Sequence, residues 1–108
     1  MRILLDECVP KPFKRQFDDL DLKTVREMGW SGTKNGALLR LMSESGFTIL
    51  LTSDRNIRYE QNLQQTGIAV IVMIAPTNRL VDLLSLISKV RETLLTIKPG
   101  ELIEVGSY

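Results

Sequence analysis

Ile49-Leu50-Leu51-Thr52-Ser53-Asp54 is the stretch on which the reading of this chain turns. Thr48 to Thr52 is nearly all apolar, as a strand covered on both faces must be, and an acid follows two residues later. The start of the chain repeats the pattern, since Arg2 to Asp6 is an apolar strand that ends in an acid. Ile68 to Ile74 contains no polar residue and reads as another fully buried strand. Leu22 to Val25 is a short strand, and Leu102 to Val105 is one flanked and interrupted by Glu101 and Glu104. Helical patterns fill the gaps. Pro10 and Pro12 suit a first helical turn, and Phe13, Phe17 and Leu20 follow at helical spacing. A helix runs from about Asn35 to Ser45 with Gly46 as its C-terminal cap. Another starts from Ser53 or Asp54 as cap and ends near Gly67. A long one, capped by Thr77 or Asn78, runs through Ile97 and is stopped by Pro99 and Gly100.

Strands alternating with helices imply βα units and a parallel sheet. The apolar strands belong inside and the short or polar ones at the edges. With right-handed crossovers this predicts an α/β fold of three α/β/α layers, a mostly parallel sheet and strand order 2-1-3-4-5. Residues 1–108 read as a single domain. Strands one and three then flank the switch point, where parallel sheets gather functional groups at strand carboxyl ends. Asp6 and Asp54 should face one crevice there.

Composition narrows the chemistry. Hydrophobic residues are 44% and charged residues 25%, which is ordinary for a globular domain. The net charge of +1 gives no global field, so any nucleic-acid role falls to a local patch. Histidine is absent, which removes the commonest general base and zinc ligand. The single cysteine, Cys8, permits no disulfide within the chain and suits a reducing cytoplasm. The apolar run Ile68 to Ala75 is too short to span a membrane. The start meets an acid too early to be a signal peptide.

Two carboxylates at about 4 Å repel by roughly 4 kcal/mol at an effective dielectric near 20. A fold accepts this by protonating one acid, splaying the side chains or placing a cation there. Mg²⁺ is a usual functional answer, because it takes one or two protein carboxylates and fills its shell with water and phosphate oxygens. Glu7, beside Asp6, is placed to reach the same crevice. An acid at a helix start such as Asp54 ordinarily serves as an N-cap. Lys11, Arg26, Lys34, Arg55, Arg58 and Arg79 fall in loops or first turns on the crevice side. Asp18, Asp19, Asp21, Glu44 and Glu101 fall on the other. A cationic rim around an acidic centre suits a phosphodiester backbone, although mixed-charge surfaces also group by chance.

Other residues read more plainly. A lone cysteine such as Cys8 is ordinarily a small core residue. Trp30 and Tyr59 either stack on bases or cover core edges. The leucine stripe from Leu80 to Leu95 is core, with Val81, Leu86 and Leu95 off its main face and open to a dimer or partner contact.

Three segments resemble a known family. Ile3-Leu4-Leu5-Asp6-Glu7 with Val9-Pro10, Thr24-Val25-Arg26-Glu27-Met28-Gly29, and Ile49 to Asn56 with its Thr-x-Asp end resemble small PIN-like proteins in order and spacing over about the first 75 residues. Such proteins are similar to VapC-type toxins and other PIN-domain ribonucleases. The resemblance implies RNA cleavage dependent on Mg²⁺ or Mn²⁺, neutralisation by a small antitoxin-like protein, and homodimers. It makes Asp6 and Asp54 metal-site and catalytic candidates and Glu7 a third acid. The chain departs from the pattern where relatives carry further acids. It has Thr33-Lys34-Asn35-Gly36 at the second helix and Asn56-Ile57 after the third strand. A reduced acidic cluster implies weaker metal binding.

Three functions follow as alternatives: a PIN-like metal-dependent ribonuclease, a non-catalytic PIN-like module that binds a protein or RNA, and a phosphoacceptor domain like a response-regulator receiver. The last needs Lys98 at the end of a strand in the crevice, whereas it follows the long helix.

Overall fold

The computed structural model describes residues 1–33, 35–55 and 60–106. Five strands form one sheet: β1 (Ile3–Leu5), β2 (Leu22–Thr24), β3 (Ile49–Thr52), β4 (Ala69–Ile74) and β5 (Leu102–Gly106). All neighbours pair in parallel, in the order β2-β1-β3-β4-β5. The α/β class and the strand order are those expected from the sequence. Each of the three inner strands is buried along its whole length.

Alternation along the strands divides the core into two layers, because successive side chains leave opposite faces of a pleated strand. Ile3, Leu5, Ile49, Leu51, Ile71 and Met73 enter one cluster with Phe13, Phe17, Leu83, Leu86 and Val90. Leu4, Leu50, Val70, Val72 and Ile74 enter the other with Leu38, Leu39, Met42 and Leu63. The first layer is closed by a 3₁₀ segment (Lys11–Phe17) and by two helices described below. The second is closed by α1 (Asn35–Glu44) and α2 (Glu60–Thr66). Fully burying a leucine or isoleucine is worth about 1.5–3 kcal/mol, so both layers contribute heavily.

Local chemistry sets the ends of these elements. Gly46 takes φ +80, and the Phe47 amide reaches back to the Met42 carbonyl at 2.9 Å. That is the left-handed cap expected at this glycine. The segment after Pro10 is a 3₁₀ helix rather than an α-helix, and it ends at Phe17, before Leu20. Pro12 lies in its first turn and lacks an N–H, and the Phe13 amide bonds Pro10 three residues back at 3.0 Å. Phe13 and Phe17 stack at 5.4 Å and anchor it.

The long helix is two helices, α3 (Leu80–Leu84) and α4 (Ile87–Thr96). At the break the Ser85 hydroxyl donates to the Asp82 carbonyl at 2.7 Å, a side-chain bond that competes with the helix ladder. Leu86 is consequently buried, at 1% exposure, rather than free for a partner, while Val81 and Leu95 remain exposed. Arg79 holds the N-cap position of α3. Thr77 serves the preceding turn instead, accepting the Arg79 amide at 3.0 Å and donating to Asp82. Among the described residues no helix is long and apolar enough to cross a membrane.

Candidate functional site

The register of the sheet places the site. Leu5 pairs with Leu51 on one side and Thr24 on the other. Asp6 is therefore the first residue beyond β1, and its amide still donates to the Leu51 carbonyl at 2.9 Å. Its side chain is fixed twice. Oδ1 accepts the Glu7 amide at 2.9 Å, and Oδ2 accepts the Thr52 hydroxyl at 2.7 Å. Thr52 is fully buried, and its Oγ1 in turn accepts the Asp54 amide at 3.1 Å. One hydroxyl thus joins the carboxylate after β1 to the backbone that carries Asp54 after β3.

Cys8 completes the cluster. Its thiol donates to Asp6 Oδ2 at 3.7 Å, lies 3.4 Å from Thr52 Oγ1 and accepts the Ser53 hydroxyl at 3.3 Å. Ser53 turns to this sulfur, and the start of the helix expected after Ser53 or Asp54 falls on 56–59, outside the described residues. Cys8 also stands on a ridge between two depressions. One, of about 380 Å³, is lined by Asp6, Glu7, Val9, Lys11, Thr24, Arg26 and Glu27. The other, of about 470 Å³, is lined by Ser53, Asp54, Arg55, Pro76, Thr77 and Asn78. Asp6 and Asp54 thus line two adjoining depressions that share Cys8.

The remaining sequence candidates scatter more. The Glu7 carboxylate faces the loop after β2 and accepts the Gly32 amide at 3.2 Å. Lys11 and Arg26 are exposed at the Asp6 side. Arg55 borders the Asp54 side, with its guanidinium donating to the Ala75 carbonyl at the end of β4. Lys34 and Arg58 lie outside the described residues, as do Asn56, Ile57 and Tyr59. Asp18, at the end of the 3₁₀ segment, shares a depression with Lys11, Lys14 and Arg15. Trp30 meets Phe47 edge-on at 5.7 Å and covers the core. Lys98 precedes β5 and lines a depression with Met1 and Thr48, beside the amino ends of β3 and β4. That is opposite to where a receiver needs its lysine.

Glu27 was not singled out by the sequence as a site residue. Its carboxylate takes the Lys14 ammonium at 2.7 and 2.8 Å and the Thr24 amide at 2.9 Å. The Lys14 bond first, and the Thr24 amide second, hold its pKa down to about 2. Thr52 was legible only as the polar end of an apolar strand. A buried hydroxyl in such a place must find partners, and that rule was the available signal.

Among the described residues no three Asp, Glu, His or Cys side chains gather as a metal cluster. The carboxylates of Asp6 and Asp54 supply hard oxygen donors, the kind Mg²⁺ and Mn²⁺ prefer. Asp6 Oδ1 accepts one hydrogen bond and keeps a second lone pair, while Oδ2 accepts both the Thr52 hydroxyl and the Cys8 thiol. The donor chemistry therefore fits a hydrated cation bound through one or two carboxylates.

No family model matches the chain, and no curated protein or solved structure matches it. The likeness to PIN-like proteins rests on the three sequence segments.

Proposed function

We propose that the chain is a PIN-like ribonuclease dependent on Mg²⁺ or Mn²⁺, acting as the toxin component of a toxin–antitoxin pair. The observation that carries this reading is the Asp6–Thr52–Asp54 linkage at the carboxyl ends of two adjacent parallel strands. Asp6 and Asp54 would hold the cation. A bound cation would acidify a water and stabilise charge on the phosphate. The chain's own part is positional. Thr52 and the Glu7 amide fix the Asp6 carboxylate, and Lys11 and Arg26 draw the RNA backbone to the same depression. A small antitoxin-like protein as inhibitor, a homodimer and a cytoplasmic setting belong to this reading.

Cleavage of single-stranded RNA in Mn²⁺ by purified wild type and Asp6→Asn tests it. Wild type should cleave and the variant should not, while both melt alike. Equal activity of the two proteins sinks the reading.

A second reading, a non-catalytic module that binds RNA or a protein, is favoured by Glu7. That carboxylate is engaged by the Gly32 amide rather than turned to Asp6. Calorimetry separates the two. The ribonuclease reading expects Mn²⁺ binding at millimolar concentration or tighter, and the second expects none.

A further inference from the structure

The 3₁₀ segment carries a group of cations that the site does not use. Lys11 lines the Asp6 depression and also an adjoining one of about 320 Å³, shared with Pro12, Lys14, Arg15 and Asp18. The two depressions are tied across their border, because Lys14 of one binds Glu27 of the other. That pair uses up its own charges. Lys11, Arg15 and Arg26 are exposed and form no ion pair among the described residues. Asp18 is the one acid among the described residues that line the second depression.

The segment is also firmly held. Phe13 and Phe17 are buried beneath it, at 0% and 1% exposure. Lys11 and Arg15 stand on two adjacent rows of its three-residue repeat, both bordering the second depression, while Arg26 stands in the turn after β2 on the Asp6 side. Unneutralised cations that border two adjoining depressions suit a polyanion that crosses both.

We infer that an RNA strand bound at Asp6 continues over the 3₁₀ segment, with its phosphates on Arg26, Lys11 and Arg15 in turn. This rests on the ribonuclease reading and extends its substrate contact beyond the Asp6 depression to Arg15. The partner is a single-stranded phosphodiester, recognised by charge rather than by base.

The test is the salt dependence of binding. The full chain, in EDTA to prevent cleavage, is titrated with a fluorescein-labelled 12-mer of uridylate at several salt concentrations. Each phosphate contact contributes a slope of about 0.7 in log K against log salt for a single strand. Arg15→Gln should lower the slope by about 0.7, a loss of about 2.6-fold in salt sensitivity between 50 and 200 mM. Arg15→Lys keeps the charge and should keep the slope. Lys98→Gln, at the other end of the sheet, should leave it unchanged.

A slope unaffected by Arg15→Gln but lowered by Lys11→Gln and Arg26→Gln overturns the inference and leaves the ribonuclease reading standing. Arg15-dependent binding of a 12-residue glutamate peptide, without RNA binding, overturns it in favour of an acidic protein partner. Absence of binding to either probe overturns it as well. Loss of the ribonuclease reading is detected separately, as equal cleavage by wild type and Asp6→Asn in Mn²⁺, and leaves the binding slope as it was.

Discussion

The Thr52 hydroxyl donates to the Asp6 carboxylate at 2.7 Å across 46 residues of chain. The same oxygen accepts the Asp54 amide, so one buried group serves both sides of the switch point.

Thr52→Val keeps the shape and removes both bonds. A hydrogen bond to a charged group is worth about 1.5–3 kcal/mol, so stability should fall by about 2 kcal/mol. Thr52→Ser keeps the hydroxyl and should cost less than half of that. Urea unfolding of the two variants checks the difference. Equal losses would mean that packing, not the hydroxyl, matters at this position.

The Lys14–Glu27 pair makes stability depend on acidity. Glu27 falls from an ordinary 4.5 to about 2 in the folded chain, chiefly through Lys14. A lowered carboxylate pKa stabilises the fold above the unfolded value, and that contribution fades as pH drops from about 4.5 towards 2. The Glu27 side chain is 39% exposed, so solvent screens the pair and its worth stays at or below about 1 kcal/mol. A double-mutant cycle with Lys14→Met and Glu27→Gln should give a coupling of this size at pH 7 and low salt. At pH 2 the coupling should be largely gone.

Gly106 should not tolerate a side chain. A Cβ there would lie 2.5 Å from the Ile74 carbonyl oxygen and 2.7 Å from the Ile74 Cβ. Gly106→Ala must push the end of β5 away from β4. Forced overpacking of this kind costs about 1–3 kcal/mol, which the urea midpoint reads directly. Amide exchange at the carboxyl end of β5 should quicken in the same variant.

Two leucines of the last helical pair make a contrast. Leu83 is 0% exposed and Leu95 is 84% exposed. Leu83→Ala should cost about 2–5 kcal/mol through lost burial and a cavity. Leu95→Gln should stay within about 0.5 kcal/mol. Thermal melts of both variants check the placement of α3 and α4.

The sheet was readable because its signal is long-range and apolar. Strands such as Ala69–Ile74 have no polar face, and only a central parallel strand has use for that. The acids at the ends of β1 and β3 followed from the same argument. The break between α3 and α4 was hidden, because Leu80, Leu83, Leu84, Ile87, Val90 and Leu94 keep helical phase across it. Only the Ser85 side chain marks it. Pro12 showed where a helix could begin, but not that its turns would be 3₁₀. At the site, spacing placed Asp6 and Asp54 at one end of the sheet. It could not show that Glu7 bonds Gly32, or that Cys8 stands between the two acids, because side-chain direction past a strand end depends on the loops around it.

The position of β1 carries a consequence for synthesis. It precedes every other strand in the chain, yet β2 and β3 must arrive before its two sides are paired. Closing the 46-residue loop from Asp6 to Thr52 costs roughly 3 kcal/mol of chain entropy. A nascent chain therefore carries Asp6 without its Thr52 partner until Thr52 has left the ribosome. Non-local pairing of this kind also slows folding. The acidic site is thus assembled only after the whole stretch of chain between its two strands has been made.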